Sequence, residues 1–586
     1  MSLVVLVGIS TTAMGQLRFL ESDVIDVAAT DLAFDALGVA HLAGIVGSYN
    51  TPGLDSGIVT NAGFGLRYVA KMDPLTRKPT WIVAVGAPGK SLRPGLRYSF
   101  AEDEARGLAL HGSGYTYLVA HDGSTNYPIT GGQYRVATAK HVFRVSAAGQ
   151  VTRYSPPLDP AIRRVGAIAV DQAGSIYITG SAGSGLVTTA NAPFPATSVA
   201  VGCMAPFVMK LDAAGQAVVY STYLGYAGTY GEICGSGSPG GVFDPTGFAI
   251  AVDAAGNAVV GGQATPGVRA TAGSPDFGSK VPTLYVPVLG YHASHAFVAR
   301  INAAGTSMLF SARLGGSERD RVTSVLVDGA GAVFVGGKTA SRDFPTTAHF
   351  GQVAPATYLS CPGFPAAAEL GFVTKLAADG KQILYSGFLP VYGEQLANCG
   401  GNPDASFDPL TIARDAAGRI FATGTESSLR AYTAPATSIL TANPSAVFFV
   451  IAADGQTFEY STRYAGVAPR GAAIDPWGHF WVAGSVVKRF SSSTFPVQFG
   501  NALPLCAPAA TISARVAGAN NFGTVEFFVD GSSAGSAAVT NDVATRTLPV
   551  AAGARRFVAT YHGTSYFDGY SSEPFYMPVN QAGACQ

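Results

Sequence analysis

The chain has 586 residues, only 13% of them charged, and its 37 basic and 37 acidic side chains cancel to a formal net charge of zero. That balance leaves no basic footprint for nucleic acid or for an anionic membrane surface. Low charge combined with 72 glycines reads as an extracellular all-β chain, and beyond the first residues no segment is long and apolar enough for a spanning helix.

In chain order, residues 1–15 (MSLVVLVGISTTAMG) hold an apolar run followed by Ala13-Met14-Gly15, the pattern of a truncated signal peptide without its basic start. An ordinary first strand is the alternative. Residues 17–31 (LRFLESDVIDVAATD) read as the end of one strand leading into another. A motif then recurs seven times: Asp, two residues, Gly, and a hydrophobic strand closing on Gly. It is VDQAGSIYITG at 170–180, VDAAGNAVVGG at 252–262, VDGAGAVFVGG at 327–337, RDAAGRIFATG at 414–424 and IDPWGHFWVAG at 474–484. Weaker copies are FDALGVAHLAG at 34–44 and LHGSGYTYLVA at 110–120, where His111 and Ala120 replace the Asp and the last Gly. The anchors at 35, 111, 171, 253, 328, 415 and 475 are 60 to 87 residues apart, a period that fits propeller blades. Each copy reads as strand, tight turn, strand, with the Asp accepting backbone N–H groups and the Gly taking positive φ.

Between these units lies a second strand–turn–strand, as in HVFRVSAAGQVTRY at 141–154, PFVMKLDAAGQAVVYSTYLG at 206–225, AFVARINAAGTSMLFSARLGG at 296–316, GFVTKLAADGKQILYSGFL at 371–389 and VFFVIAADGQTFEYSTRYAG at 447–466. A degenerate copy occupies 68–86. With KTASRDFPTT at 338–347 added, residues 20–500 resemble the bacterial seven-bladed β-propeller repeat proteins. The resemblance implies a seven-bladed β-propeller with four-stranded blades and, for function, only a secreted or surface protein. There are seven first units but six second ones, so the N-terminal segment is expected to supply the strand closing the last blade.

The last part of the chain changes character. Short strands with turns at roughly ten-residue intervals over 507–580 indicate a β-sandwich, and GTVEFFVDGSSAGSAAV resembles bacterial Ig-like repeat domains. The expected division is 1–15 signal-like, 16–500 propeller and 501–586 Ig-like sandwich, joined through 485–506.

Six cysteines suit an oxidising compartment. Cys203 and Cys234, and Cys361 and Cys399, occupy matching places in the third and fifth blades and are expected to pair. Cys506 and Cys585 bracket the last domain, and their pairing is left open. No CxxC spacing or His cluster points to metal, and His292 and His295, read as sharing one loop, lack a third ligand. GSSAG at 531–535 fits G-x-S-x-G but falls in a hairpin rather than a strand-to-helix elbow. No catalytic residue, cofactor or metal is assigned. The acidic run Glu102, Asp103 and Glu104 reads as a solvated loop.

Loop geography carries the functional expectation. The long connections (181–206, 226–246, 263–295, 338–370, 390–409 and 425–446) should emerge on one face, where binding sites lie on rigid scaffolds. Before successive first strands come Asp26, Asp103, Arg163 with Arg164, Asp244, Asp320 with Arg321, Asp408 and Arg470, a mixed-charge ring at a channel mouth. Inter-blade ion pairs and capped turns are the structural alternative for these. Tyr226, Tyr230, Tyr285, Tyr291 and Tyr358 could stack on sugar rings or fill gaps between loops. The leading expectation is a secreted or cell-surface, non-catalytic binding or scaffold protein engaging a polysaccharide, envelope component or protein. Alternatives are an extracellular polysaccharide-acting enzyme with paired carboxylates at the channel mouth, and a self-associating structural subunit.

Overall fold

The computed structural model describes residues 19–25, 29–35, 38–45, 67–72, 79–85, 107–121, 127–128, 134–135, 139–201, 203–226, 246–264, 268–276, 285–286, 291–292, 295–318, 320–347, 357–361, 364–367, 370–392, 410–426, 445–465, 467, 469–475, 478–492, 497–499, 505–516, 523–541, 543–562, 570–571 and 575–580. Among them, one 3-10 turn at Ala196–Ser198 is the single helical element, and everything else regular is β.

The strands form in pairs because the turns between them are chemically specified. In six copies of the recurrent motif an aspartate Oδ1 accepts the amide four residues on: Asp35 from Val39, Asp171 from Ser175, Asp253 from Asn257, Asp328 from Ala332, Asp415 from Arg419 and Asp475 from His479, at 2.8–2.9 Å. The glycine three residues after each anchor has φ of 71–89°. In the remaining copy the His111 ring takes the aspartate's place. Its Nδ1 accepts the Ser113 amide at 3.2 Å, which leaves Nε2–H to donate to the Gln172 carbonyl at 3.0 Å.

Seven four-stranded antiparallel sheets result among the described residues, each with its strands in spatial order. Sheet one is Asp31–Phe34, Ala40–Ile45, Arg67–Met72 and Pro79–Val85. Sheet two is Ala109–Leu110, Thr116–His121, Lys140–Val145 and Val151–Arg153, and sheet three is Ile162–Val170, Ile176–Gly183, Met204–Leu211 and Val218–Tyr223. Sheet four is Thr246–Val252, Ala258–Ala264, His295–Ile301 and Met308–Leu314. Sheet five is Asp320–Val327, Val333–Thr339, Leu370–Leu376 and Ile383–Tyr392, and sheet six is Thr411–Arg414, Ile420–Glu426, Ser445–Ile451 and Phe458–Ala465. Sheet seven is Gly471–Ile474, Phe480–Ala483 and Val487–Ser492, and its fourth strand is Phe19–Ile25 from the other end of the chain.

The core lies between sheets rather than within any of them. Val69 and Val85 of sheet one pack with Leu118 and Phe143 of sheet two, and Tyr177 and Tyr220 of sheet three with Val260 and Phe297 of sheet four. Leu32, Leu42 and Tyr68 of sheet one join Trp481 and Val487 of sheet seven, so the series returns to its start. First strands also adjoin in sequence, from Asp31–Phe34 round to Gly471–Ile474 and back. The arrangement is propeller-like. Adjacent sheets interlock at a second place: a fourth-strand aromatic of one lies against the third-to-fourth-strand turn glycine of the next, as in Tyr220 with Gly305, Phe310 with Gly380 and Tyr385 with Gly455.

After Ser492 the chain enters two further sheets. One joins Val497–Phe499, Ala509–Val516 and Val543–Pro549. The other joins Leu505–Cys506, Phe575–Asn580, Gly553–His562, Thr524–Val529 and Ser532–Ala538, with Tyr570–Ser571 beside Gly553–His562. Ile512 and Ala514 from the first and Val525, Phe527, Phe557 and Tyr561 from the second share one buried core. The GSSAG segment forms the turn and strand after Thr524–Val529, with Asp530 and Gly531 at positive φ, so it is a hairpin.

Candidate binding face

An antiparallel meander places its first-to-second and third-to-fourth turns at one end and its second-to-third connections at the other. The first end is closed by the tight Asp/Gly turns. The second is elaborated. Second-to-third connections carry a small hairpin in sheet two (Tyr127–Pro128 with Tyr134–Arg135), in sheet four (Tyr285–Val286 with Tyr291–His292) and in sheet five (Thr357–Cys361 with Phe364–Ala367). That of sheet three carries the 3-10 turn instead.

A repeated clamp fixes the base of three of these connections. The amides of Thr189, Thr271 and Thr347 donate to the carbonyls of Ser221, Ser311 and Ser386 on the fourth strand of the same sheet, at 2.8–3.0 Å. Each threonine hydroxyl reaches the same carbonyl at 3.2–3.3 Å. Sheet four adds an ion pair, Arg313 to Asp276 at 2.6 Å. In sheet three, Asp159 holds both the Ala161 amide and the Val187 amide at 2.8 Å. The hydroxyl of Tyr223 donates to the Gly183 carbonyl at 2.5 Å and accepts the Leu186 amide at 3.1 Å.

The first strands start at this same end. Arg163 is exposed, Arg164 is half-buried, and the Lys140 ammonium donates to the carbonyls of Ile162 and Arg163 at 3.2 and 2.9 Å. Arg470 is exposed, and its amide is bonded to Ala483. Asp320 and Arg321 are buried. Asp320 Oδ2 accepts the Gly316 amide at 2.9 Å and the Ser341 hydroxyl at 3.0 Å. Beside it, Asp343 of the DFPTT segment accepts the amide and hydroxyl of Ser317. Two carboxylates thus grip the Gly315–Glu318 passage from sheet four to sheet five. Burial pushes the Asp320 carboxyl up to about 7, against hydrogen bonds from Thr339, Gly316 and Ser341 that pull it down. Burial and then the neighbouring Asp343 also raise Glu318.

Tyr226 is 52% exposed and meets the Phe194 ring edge-on at 5.1 Å, in a region that also exposes Val187 and Val201. The backbone of Tyr285, Tyr291, Tyr358 and Cys361 lies in the hairpins described above, and that of Cys506 in Leu505–Cys506. Cys203 is buried at the head of the third strand of sheet three and is disulfide-bonded. Asp26, Asp103 with Glu102 and Glu104, Asp244, Asp408, Tyr230, Cys234, Cys399, Cys585 and residues 1–15 lie outside the described residues. His292 and His295 do not share one loop: His292 ends a hairpin strand, and His295 opens the third strand of sheet four. His295 is buried, and desolvation pushes it down to about 4. The strand begins before the apolar run that marks it in the sequence.

Asp31 was not singled out by the sequence and is a second carboxylate at a joint between sheets, here half-buried. Its Oδ1 accepts the Leu32 amide at 2.9 Å and its Oδ2 the Leu108 amide of sheet two at 3.0 Å. Burial pushes it up to about 6, against those two amides and Arg67. It stands four residues before the motif anchor, where the other copies have Gly107, Ala167, Ala249, Ser324, Thr411 and Gly471. That mismatch with small residues was the available signal. Ser324 does the equivalent work between sheets five and six, accepting the Ile412 amide at 3.3 Å. Both carboxylates are held by backbone amides, Asp320 fully enclosed and Asp31 half-buried, which is the chemistry of a joint between sheets. Among the described residues no group of three His, Cys, Asp or Glu side chains is placed to hold a metal ion, and no helix is long and apolar enough to cross a membrane.

No family model and no curated protein matches this chain. Among solved structures it is similar to the extracellular domain of a protein from B. thetaiotaomicron described as a one-component system, at 10% identity and a TM-score of 0.35, covering 97% of this chain and 59% of that one. It is also similar to the WD40 β-propeller domain of Doa1 (9% identity, TM-score 0.39, 82% of this chain and 98% of that one) and to the computationally designed Ika8 protein (11%, 0.33, 80% and 98%). The chain thus spans about three-fifths of the first of these. The likeness is loose, and the architecture rests on the strand order itself.

Proposed function

We propose that residues 16–500 form a seven-bladed β-propeller and 501–586 an Ig-like sandwich, in an exported protein that binds without catalysis. Its ligand is a polysaccharide, an envelope component or another extracellular protein, taken up at the elaborated end of the ring. Seven sheets with cores shared pairwise in a closed series support the propeller. The observation that carries the binding reading is the asymmetry of the two ends. One is sealed by the same tight turn in every sheet, whereas the other is clamped at its base and built up with tyrosine-bearing hairpins. A rigid scaffold with variable connections on one side is the arrangement of a recognition surface. Cys203–Cys234 and Cys361–Cys399 disulfides would staple connections on that side.

The test is a glycan and cell-wall polysaccharide array, with mass spectrometry of the products. Binding without cleavage is expected, and Tyr226→Ala should weaken it by about tenfold, the loss typical of an exposed aromatic anchor. Shortened glycans would overturn the non-catalytic reading. Binding that survives trimming of 226–246, which removes Tyr226, and of 390–409 would move the site off these connections.

A further inference from the structure

We propose that the outer edge of sheet seven is a strand-accepting site coded for an acidic extended strand, and that it takes this strand from a second copy of the chain as well as from its own. The inference is independent of the ligand reading above. The accepting strand Val487–Ser492 (VKRFSS) carries Lys488 and Arg489 and no acid, whereas the closing strand Phe19–Ile25 (FLESDVI) carries Glu21 and Asp23 and no base. The antiparallel register sets Asp23 opposite Arg489, Val24 opposite Lys488 and Glu21 opposite Phe490. Lys488 and Arg489 are only 8% and 6% exposed, and the Arg489 guanidinium lies 5.7 Å over the Trp481 ring. Basic side chains this enclosed on an accepting strand penalise a basic strand and favour an acidic one.

Attachment makes the closing strand separable. In sheets two to six the fourth strand follows the third through a tight glycine turn, at Gly149, Gly215, Gly305, Gly380 and Gly455. Phe19–Ile25 instead precedes sheet one in the chain and is not joined to Val487–Ser492 by a turn. Its departure from sheet seven breaks no hairpin. The ladder is also interrupted by a register shift between Glu21 and Asp23, which weakens continuous pairing. A departed strand leaves an edge of unpaired backbone groups on sheet seven. Reciprocal exchange between two copies restores those bonds with the same contacts and gives a closed two-fold pair.

Full-length Asp23→Arg and Arg489→Glu chains test this separately and mixed. Each alone opposes like charges in its own sheet seven. In a mixture, exchange sets the introduced arginine of one chain opposite the introduced glutamate of the other, and the unchanged Asp23 opposite the unchanged Arg489. The expected result by native mass spectrometry is a heterodimer in at least about tenfold excess over either homodimer, with the urea midpoint recovered. Persistent monomers in the mixture, while the double variant D23R/R489E matches the unmodified protein, would overturn exchange. A double variant no more stable than either single one would overturn the charge code. Because Arg489 also packs on Trp481, a chain cleaved in its folded state between residues 27 and 28 provides a test without core changes. It should take up a labelled peptide of residues 17–27 and refuse one with Glu21 and Asp23 changed to Lys. Equal uptake of both peptides, or of neither, would refute the proposal.

Discussion

Replacing Gly305 by Ala is expected to lower the free energy of unfolding by roughly 2–5 kcal/mol. Two costs coincide at this position. Its φ of 70° lies in the left-handed region, where a Cβ costs about 1–2 kcal/mol. That Cβ would also overlap the Tyr220 ring of the preceding sheet. Tyr220 is fully buried among Val208, Val260, Phe297 and Ile301, so its ring has nowhere to move, and overpacking of this kind costs about 1–3 kcal/mol. Gly380→Ala against Phe310 and Gly455→Ala against Tyr385 should behave alike, because the same contact recurs at each junction. Gly112→Ala is the control: its Cβ would meet nothing within 4 Å, and its unfolding should shift by no more than about 0.5 kcal/mol. Equilibrium urea unfolding of the four variants decides the matter. Equal midpoints for Gly112→Ala and Gly305→Ala would mean that the sheets are not locked through these turns.

Asp320→Asn is expected to remove a pH dependence that the unmodified protein shows between about pH 4 and 7. The folded-state carboxyl is pushed up from 3.8 to about 7 by burial, so over that window the folded chain holds a proton that the unfolded chain has released. Stability therefore falls as pH rises from 3.8 to about 7 and is flat above it. Asparagine keeps an acceptor for the Gly316 amide and cannot ionise. The advantage of the unmodified protein over Asp320→Asn should thus be greatest near pH 4 and disappear or reverse by pH 7.5, a swing of at most about 4 kcal/mol. Urea midpoints of both proteins across that range measure it. Asp31, whose carboxyl is pushed up to about 6, contributes equally to both and cancels from the comparison. A constant difference between the two proteins would show that Asp320 does not gain a proton on folding.

The two effects concern one structural problem. Sheets that share their cores pairwise must be joined where the chain passes from one to the next, and this protein does so with glycines under aromatic rings at one end and buried acceptors at the other. The short passage from sheet four to sheet five shows the second device most fully. Asp320 and Asp343 hold the Gly316 and Ser317 amides, and Ser341 holds that of Glu318. The DFP phrase of the repeat thus has a local physical task, independent of any ligand.

What the sequence determined by itself was everything whose partners lie within a few residues. The Asp-x-x-Gly turns were legible because the acceptor, the amide four residues on and the glycine with positive φ belong to one short segment, and the alternating runs on either side fix the strands. Recurrence of that segment then implied repeated strand pairs, and the surplus of first units pointed to a strand from the N-terminal segment. Tertiary structure alone decided which polar residues stay in water. Asp320 and Arg163 look alike as charges preceding a first strand, yet one is enclosed by Gly316 and Ser341 and the other is exposed. Asp31 takes its role from Leu108, and Gly305 its constraint from Tyr220, both distant along the chain. The pairing of Asp23 with Arg489 spans nearly the whole sequence. Burial, register and the charge opposite a residue are set by whichever segment packs against it, and that choice follows from the order in which sheets share their cores rather than from any local pattern.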